Sequence, residues 1–565
     1  MLPSTTQEFM YWPWVKIAPY FQELVDRSLN ADNIAAWLGD WSRLEELLYE
    51  TYWRLYVATT VNTADETAQQ RYAAFLDEIY PPAQEASQKL KEKLLVSGFD
   101  VQGFEIPLRN MRAEAAIFRQ ANLPLLSEEL KLSNEYDKIV GAQTVQWEGK
   151  ELTIQQLHPV YQDPDREKRE RAWRLAIERQ LADRQAINAL WVKFMEVRGK
   201  LAANADFSDY RAYRWQQLLR FDYTPKDCAS FHAAIEEVIV PAARRIYETR
   251  RQQLSLDTLR PWDLIDGWYG SPVDPFKNPP LRPFARSAEL ESKTAAIFQR
   301  VDPQLGEHFD IMRREGLLDL ENRKNKAPGG YCTEFEAARR PFIFMNAVGI
   351  HDDVQTLLHE GGHAFHSFES NALPYRQQRS VPIEFAEVAS MGMEFLAAPY
   401  LSNGESGFYT PEEAARAHAQ HVEFSLLFWP FMAVVDGFQH WVYTHHADAS
   451  DPANCDAKWA ELWARFIPVV DWSGFETAMA AGWQRKAHIH QSPFYYVEYG
   501  LAQLGAMQIW RNARKDQSAA VAAYRKALSL GGTAPLPELF AAAGARFAFD
   551  SAILREVIEL ALQSI

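Results

Sequence analysis

The segment HDDVQTLLHEGGHAFHSFES (351–370) contains two histidines and a glutamate whose spacing suits a metal ion. His359 and His363 are four residues apart, so on a helix of about 3.6 residues per turn both imidazoles lie on nearly one face. Two such nitrogens can hold one zinc ion at about 2.0–2.1 Å. Glu360 would lie beside the metal, where a carboxylate can take a proton from water and pass it to a leaving group. The pattern predicts a catalytic zinc site; the competing interpretation is two histidines on an unremarkable helix.

A catalytic zinc usually has three protein ligands, and we expect the third from PIEFAEVASMGMEF (382–395). Pro382 suits a first helical turn, and the helix that follows offers Glu384, Glu387 and Glu394. Spacing alone does not separate Glu384 from Glu387. Glu387 lies in mid-helix among apolar residues, where a carboxylate without a partner would be costly. Glu384, near the helix start, is explained by the helix dipole alone.

Three more polar residues lie near the predicted metal. Ser390 and Glu394 are candidates for supporting the ligands through hydrogen bonds. His366 shares the metal-facing side of its helix but lies about 10 Å along the axis from His359, too far to be a ligand. It either supports the site or lines a substrate wall, or it is a buried core histidine.

The composition excludes several classes of protein. Of 565 residues, 47% are apolar and 24% charged, which is ordinary for a globular protein, and the net charge of −16 argues against nucleic acid as a partner. Three cysteines far apart in the sequence predict neither a disulfide framework nor a zinc site built of thiolates, and they predict a reducing compartment. The longest apolar run, 424–435, is shorter than the roughly 20 residues that cross a bilayer and predicts a core helix. With no secretory signal visible, we expect a cytoplasmic protein without membrane partners.

Helical periodicity dominates the chain, so the predicted fold class is mainly α with a small β element. Residues 34–60 and 165–202 place apolar side chains at steps of three and four. TVQWEGKELTI (144–154) predicts a hairpin, and PFIFMNAV (341–348) a strand just before the zinc helix. The stretch 259–284, rich in proline and aromatic residues, predicts a long ordered loop.

Several segments resemble the zinc peptidases of the thimet oligopeptidase and oligoendopeptidase F type, with the Pz-peptidase-like branch most similar. The resemblance covers about residues 145–550 and rests on PFIFMN, HEGGHAFH and EFAEVAS, together with LLRFDYTP (218–225), LRPWD (259–263), DVQTLLHEGGHAFHSF (353–368), SPFYYVEYGLAQLGA (492–506) and YRKALSLGG (524–532).

The resemblance implies a zinc metalloendopeptidase that cuts short oligopeptides. It implies that His359, His363 and Glu387 bind one Zn²⁺, which decides for Glu387 over Glu384, and that Glu360 is the general base. The implied fold is of the gluzincin type, with two helical lobes around a deep central channel. We expect an N-terminal helical lobe at 1–200 and a catalytic region at 201–565, in a monomer or weak homo-oligomer.

Two further segments acquire predicted roles. The edge of PFIFMNAVG (341–349) could pair with an extended peptide backbone. In HIHQSPFYYVEYG (488–500), the resemblance implies that a histidine and tyrosines donate hydrogen bonds to the substrate carbonyl. We assign these donors to His488, Tyr496 and Tyr499. His490 competes with His488 for this role, and Tyr495 competes with Tyr496.

Two other functions compete with this prediction. The same zinc-and-glutamate arrangement could act on another amide or an ester. A non-enzymatic scaffold could hold a peptide or a structural metal without turnover. Against the scaffold, Glu360 stands where a base is needed, and a structural zinc would be expected to have four protein ligands.

Overall fold

The computed structural model describes residues 2–3, 5–99, 101–276, 278–323, 325–402, 404 and 407–564, and most of them are helical. The predicted fold class, mainly α with a small β element, is confirmed. Long helices form where the apolar stripe is widest. Residues 34–61, for example, form one helix that buries Trp37, Trp41 and Leu44 completely.

The α-helices are numbered in chain order. They are α1 (Thr6–Phe9), α2 (Trp14–Asp26), α3 (Ile34–Val61), α4 (Glu66–Ala74), α5 (Tyr80–Ser97), α6 (Glu105–Ile117), α7 (Leu123–Gly141), α8 (His158–Tyr161), α9 (Arg166–Ala182), α10 (Arg184–Asn204), α11 (Tyr210–Gln217), α12 (Pro225–Ala234), α13 (Val240–Gln253), α14 (Ser287–Val301), α15 (Pro303–Arg314), α16 (His351–Ser370), α17 (Ile383–Ala397), α18 (Pro411–Thr444), α19 (His446–Ala449), α20 (Pro452–Phe466), α21 (Glu476–Ala480), α22 (Ala487–Gln491), α23 (Tyr496–Ala513), α24 (Gln517–Leu528), α25 (Leu536–Ala542) and α26 (Ser551–Leu562). Two π-helical turns, Phe75–Ile79 and Ile235–Ile239, join α4 to α5 and α12 to α13. Short 3-10 turns lie at Gln120–Asn122, Gln155–Leu157, Pro261–Asp263, Arg376–Gln378, Ala398–Tyr400 and Ala481–Arg485.

The predicted hairpin is confirmed. Strands β1 (Thr144–Trp147) and β2 (Lys150–Thr153) pair antiparallel, with Trp147 opposite Lys150. Glu148 and Gly149 both have positive φ, 49° and 79°, as a tight two-residue turn between twisted strands requires.

A three-stranded sheet leads into the helix that carries the histidines. Its strands are β3 (Leu318–Glu321), β4 (Tyr331–Phe335) and β5 (Arg340–Ala347), in the order β3-β5-β4. The predicted strand at 341–348 is confirmed as β5, while β3 and β4 were not predicted. β5 is the central strand, parallel to β3 and antiparallel to β4. The prediction that its own edge could pair with a peptide is therefore wrong, because both of its edges are already paired.

The start of α16 is held by a side chain of its own first turn. The helix begins at His351. Asp353 lies in the first turn and accepts the backbone N–H groups of residues 348–350 at 2.8, 2.7 and 2.9 Å. These bonds fix the short connection between β5 and α16.

Buried apolar side chains form two clusters. The smaller contains residues between Phe9 and Met111, and the larger contains residues between Ile117 and Ala561. The apolar run 424–435 lies inside α18 and is almost entirely buried there, which confirms the predicted core helix. Among the described residues, no helix is both long enough and apolar enough to cross a bilayer. The division of the chain at residue 200 stays a prediction.

Candidate active site

Helices α16 and α17 approach each other very closely at the HEGGH segment. A Cβ atom at Gly362 would lie 2.4 Å from Ala389 O and 2.6 Å from Ser390 Cα, closer than real Cβ atoms come to other atoms. Only glycine permits this approach. The contact brings side chains of α17 within reach of the histidines on α16.

Three side chains on these helices converge. His359 Nε2 lies 3.3 Å and His363 Nε2 lies 3.6 Å from Glu387 Oε2, and one donor atom from each residue lies within 4.8 Å of the others. Ligands about 2.0–2.3 Å from one tetrahedral zinc are about 3.3–3.8 Å apart. The spacing and chemistry of these three residues therefore fit a single zinc ion.

His359 is oriented by polar contacts of Nδ1, the ring nitrogen on the side away from Glu387. Its Nδ1 lies 2.7 Å from Glu394 Oε1, and the other oxygen of Glu394 lies 2.7 Å from His421 Nε2 on α18. A carboxylate can only accept here, so Nδ1 carries the proton and Nε2 is left free to bind a metal. Burial would raise the pKa of Glu394, but the hydrogen bonds from both histidines outweigh it and lower the pKa.

Glu387 is buried and held in one orientation. The Tyr495 hydroxyl donates to Oε1 at 2.6 Å, and the Ser390 hydroxyl donates to Oε2 at 3.0 Å. Burial would raise the pKa of Glu387, but the two neighbouring imidazoles and the Tyr495 hydroxyl lower it to about 2. The side chain is therefore a carboxylate at neutral pH.

Glu360 differs from its neighbours in having a free oxygen. The residue is buried, and among the residues that the structure describes its Oε2 has no hydrogen-bond partner. Burial raises the pKa of Glu360 to about 7, although the charge of His359 opposes part of the rise. A carboxyl group with this pKa and a free oxygen can both take up and release a proton near neutral pH.

Glu384 and His366, the two alternative residues, lie in surroundings that do not require a metal. Glu384 accepts a hydrogen bond from the Tyr223 hydroxyl at 2.7 Å and lies 3.4 Å from Arg220 Nε, so its burial is explained without a metal. His366 is buried beside the ring of Phe385, and no described residue forms a hydrogen bond with its Nε2. Burial lowers the pKa of His366 to about 3, so it is a neutral core histidine.

The segment 488–499 brings a histidine and tyrosines together next to Glu387. His488 Nε2 and the Tyr499 hydroxyl are 3.2 Å apart, and the Tyr496 ring lies 5.2 Å from the His488 ring. His490 points elsewhere, since its ring stacks on Tyr136 at 4.5 Å inside the core. His488 therefore lies among Tyr495, Tyr496 and Tyr499, and the Tyr495 hydroxyl also contacts Glu387 directly.

Two features of the site were not predicted from sequence patterns. His421 lies 58 residues beyond His363, and no spacing rule connects it to Glu394. Arg220, which pairs with both Glu384 and Glu498, lies in the segment 218–225, which indicates the family and predicts no role for this arginine. The two glutamates that pair with Arg220 come from distant segments. Tertiary packing brings them together, so no local pattern identifies the pairing.

The helical fold, the HEGGH helix and the glutamate on the next helix define a metallopeptidase. Peptidase family M3 matches residues 160–558, more than two thirds of the chain, and the chain belongs to that family. The predicted resemblance to oligoendopeptidase F and Pz-peptidase is thereby confirmed.

Two relatives illustrate the extent of the similarity. The oligoendopeptidase F homolog of Mycoplasma pneumoniae is 23% identical over 471 residues, covering 76% of this chain and 72% of that protein. The solved structure of Pz peptidase A with an inhibitor superposes with a TM-score of 0.92 and 28% identity, covering 99% of both chains.

Proposed function

We propose that the protein is a zinc-dependent oligoendopeptidase that hydrolyses internal peptide bonds of short oligopeptides. One observation carries the proposal: His359, His363 and Glu387 converge at ligand spacing, and the unpaired oxygen of Glu360 belongs to the same helix. Two imidazoles and a carboxylate, with a fourth position left for water or substrate, suit zinc.

The reaction needs a base that later acts as an acid. When bound, zinc supplies a Lewis acid that makes water easier to deprotonate and polarises a carbonyl group. Glu360 Oε2 takes the proton from the attacking water and then donates it to the departing amine. Its pKa of about 7, raised by burial, suits both transfers.

The oxyanion that forms at the scissile carbonyl needs hydrogen-bond donors. The hydroxyls of Tyr496 and Tyr499 and the ring of His488 are the donors we propose. Burial lowers the pKa of His488 to about 3, so the ring is neutral and donates through one N–H group. Tyr495 has a different role, since its hydroxyl holds Glu387.

We propose β4 as the strand that binds the peptide backbone. It is an edge strand of its sheet, and the preceding Gly330 lies close to the base, where a Cβ atom would be 3.5 Å from Glu360 Oε1. A peptide added to this edge would pass in front of the zinc helix.

A channel between two lobes, as expected for this fold, would admit short peptides and exclude folded proteins. A monomer or weak homo-oligomer and a cytoplasmic location stay predictions.

The test compares the wild-type protein with Glu360→Gln. Zinc is determined by elemental analysis, and cleavage of mixed peptides of about 5–20 residues is followed by mass spectrometry. We expect unchanged zinc and a rate about 10²–10⁴-fold lower for the variant, because only the proton transfer is lost.

Glu369→Gln is the matched control, since it makes the same change at the end of the same helix, where Glu369 pairs with Arg525. It should retain activity. Equal rates for wild type and Glu360→Gln would refute Glu360 as the base. Bound zinc without cleavage of any peptide would refute the proposed substrate class.

A further inference from the structure

A second group of metal-binding side chains lies between α12 and α18, which pack against each other. Cys228 and His232 are four residues apart on α12, and Asp436 and His440 are four residues apart on α18. Pairs with this spacing project from one face of a helix. A thiol, two imidazoles and a carboxylate thus meet across one helix interface.

The donor atoms have the spacing of metal ligands. One donor atom each of Cys228, Asp436 and His440 lies within 4.8 Å of the others, and His232, outside this group of three, contacts Asp436. Asp436 Oδ2 lies 3.3 Å from His440 Nε2 and 2.9 Å from His232 Nε2. The first distance equals the 3.3 Å between His359 Nε2 and Glu387 Oε2, and ligands of one tetrahedral zinc are about 3.3–3.8 Å apart.

These short contacts fall short of good hydrogen-bond geometry. Among the described residues, both oxygens of Asp436, Nε2 of His232 and Nε2 of His440 have no partner that meets both the distance and the angle of a hydrogen bond. Ligand atoms that share one metal ion lie close together but do not point at one another. The arrangement here has both properties. Asp436 is completely buried, and so is Cys228.

The groups around the Asp436 carboxylate are mostly apolar and do little to offset the cost of burying its charge. The ring of His440 lies 5.9 Å from Trp215 and 5.2 Å from Phe494, and the ring of His232 lies 6.4 Å from Phe466. A buried carboxylate in such an apolar setting is costly unless a cation is bound to it. The cation is either a protonated imidazole or a metal ion, and the convergence of the thiol favours the metal.

We propose that Cys228, His232, Asp436 and His440 form a second, structural site for a divalent transition metal, with zinc the best match. Thiolate and imidazole ligands select zinc among the common divalent ions, and four protein ligands leave no open position for catalysis. This site is separate from the catalytic centre and does not depend on the proposed peptidase activity.

The site is connected to the active site through α18 and the segment that follows it. α18 also carries His421, which contacts Glu394. Gln439, next to His440, accepts the backbone N–H of Phe494, the residue before Tyr495. A metal ion that links α12 to α18 would therefore stabilise two contacts of α18. One is the contact of His421 with Glu394, which orients His359, and the other is the contact of Gln439 with Phe494, which positions Tyr495.

The first test counts zinc in the full-length protein purified under reducing conditions. We expect two zinc ions per chain in the wild type, one in Cys228→Ser and one in His363→Gln. Cys455→Ser is the matched control: Cys455 is equally buried, but its thiol contacts Ala449 O, so this variant should keep both ions. A single zinc in the wild type that Cys228→Ser retains would overturn the proposal. Two ions in His363→Gln would instead refute the catalytic site, so the two failures are distinguishable.

The second test needs no variant and remains valid if Cys228→Ser does not fold. The protein is loaded with Co²⁺, which takes the place of zinc and reports a thiolate ligand by a sulfur-to-cobalt charge-transfer band in the near ultraviolet. The catalytic ligands contain no sulfur, so this band can come only from a cysteine site. We expect it in the wild type and in His363→Gln. Its absence from the cobalt-loaded wild type would overturn the assignment of Cys228 as a ligand.

Discussion

At the scale of single residues, neighbouring histidines on one helix differ in what surrounds them. His363 Nε2 lies 3.6 Å from Glu387 Oε2, whereas His366, three residues further, is buried against Phe385, and no described residue forms a hydrogen bond with its Nε2. The residue type and the helix are the same, so the difference in function should come from the partner alone.

His363→Gln should therefore lose the catalytic zinc, while His366→Gln should keep it. A glutamine at 363 replaces one of three strong nitrogen and oxygen ligands, and catalytic zinc normally needs all three. Elemental analysis and peptide cleavage check both outcomes: one zinc ion fewer and no activity for the first variant, little change for the second. Loss of zinc from His366→Gln would show that the ligand set is wrong.

Glu394 supports the metal site without belonging to it. Its oxygens bridge His359 Nδ1 and His421 Nε2, each at 2.7 Å. Glu394→Gln removes the negative charge that fixes the tautomer and raises the basicity of His359. Loss of such a support typically weakens metal binding about 10–100-fold. Competition with a chelator measures this affinity, and an unchanged affinity would contradict the role given to Glu394.

At the scale of helices and strands, the contact between α16 and α17 decides whether the ligands meet. Gly362→Ala would put a Cβ atom 2.4 Å from Ala389 O and force the helices apart. Overpacking of this kind typically costs about 1–3 kcal/mol. We expect a lower unfolding temperature and weaker zinc binding, because Glu387 moves with α17.

Gly39→Ala is the control for Gly362→Ala. Gly39 lies within α3, and a Cβ atom there would meet nothing within 4 Å. Alanine is a better helix former by about 0.5–1 kcal/mol, so this variant should be slightly more stable than the wild type. Thermal unfolding followed by circular dichroism measures both. If the two variants change stability equally, the close approach of α16 and α17 is not what requires Gly362.

Local patterns predicted the elements that depend on local rules. The hairpin at 144–154 follows from alternation and a Glu-Gly turn, and β5 from a run of β-favouring residues. β3 and β4 were missed because each has only four or five residues and gains its stability from β5. For the same reason the free edge was assigned to the wrong strand: the order of strands in a sheet is a tertiary property that sequence periodicity does not contain.

At the scale of the whole molecule, the N-terminal helices are joined to the catalytic region through buried charges. Glu46 on α3 accepts from Arg379 and lies 3.0 Å from Arg339 Nη2, and the neighbouring Glu50 accepts the backbone N–H of Ala338 at 2.8 Å. Both glutamates are buried. The smaller apolar cluster thus contacts the segment around the zinc helix through specific ion pairs as well as apolar packing.

Glu46→Gln should destabilise the protein strongly. Arg379 has only 5% of its side chain exposed, and two of its guanidinium nitrogens have no hydrogen-bond partner in the described part of the chain. Removing the carboxylate would leave a buried cation unpaired, which typically costs about 3–5 kcal/mol. Glu23→Gln is the control, because Glu23 is 57% exposed in its pair with Arg27 and such surface pairs contribute about 0–1 kcal/mol. Urea unfolding of both variants measures the difference. Equal midpoints would show that apolar packing alone, without the ion pairs of Glu46, joins the two parts of the molecule.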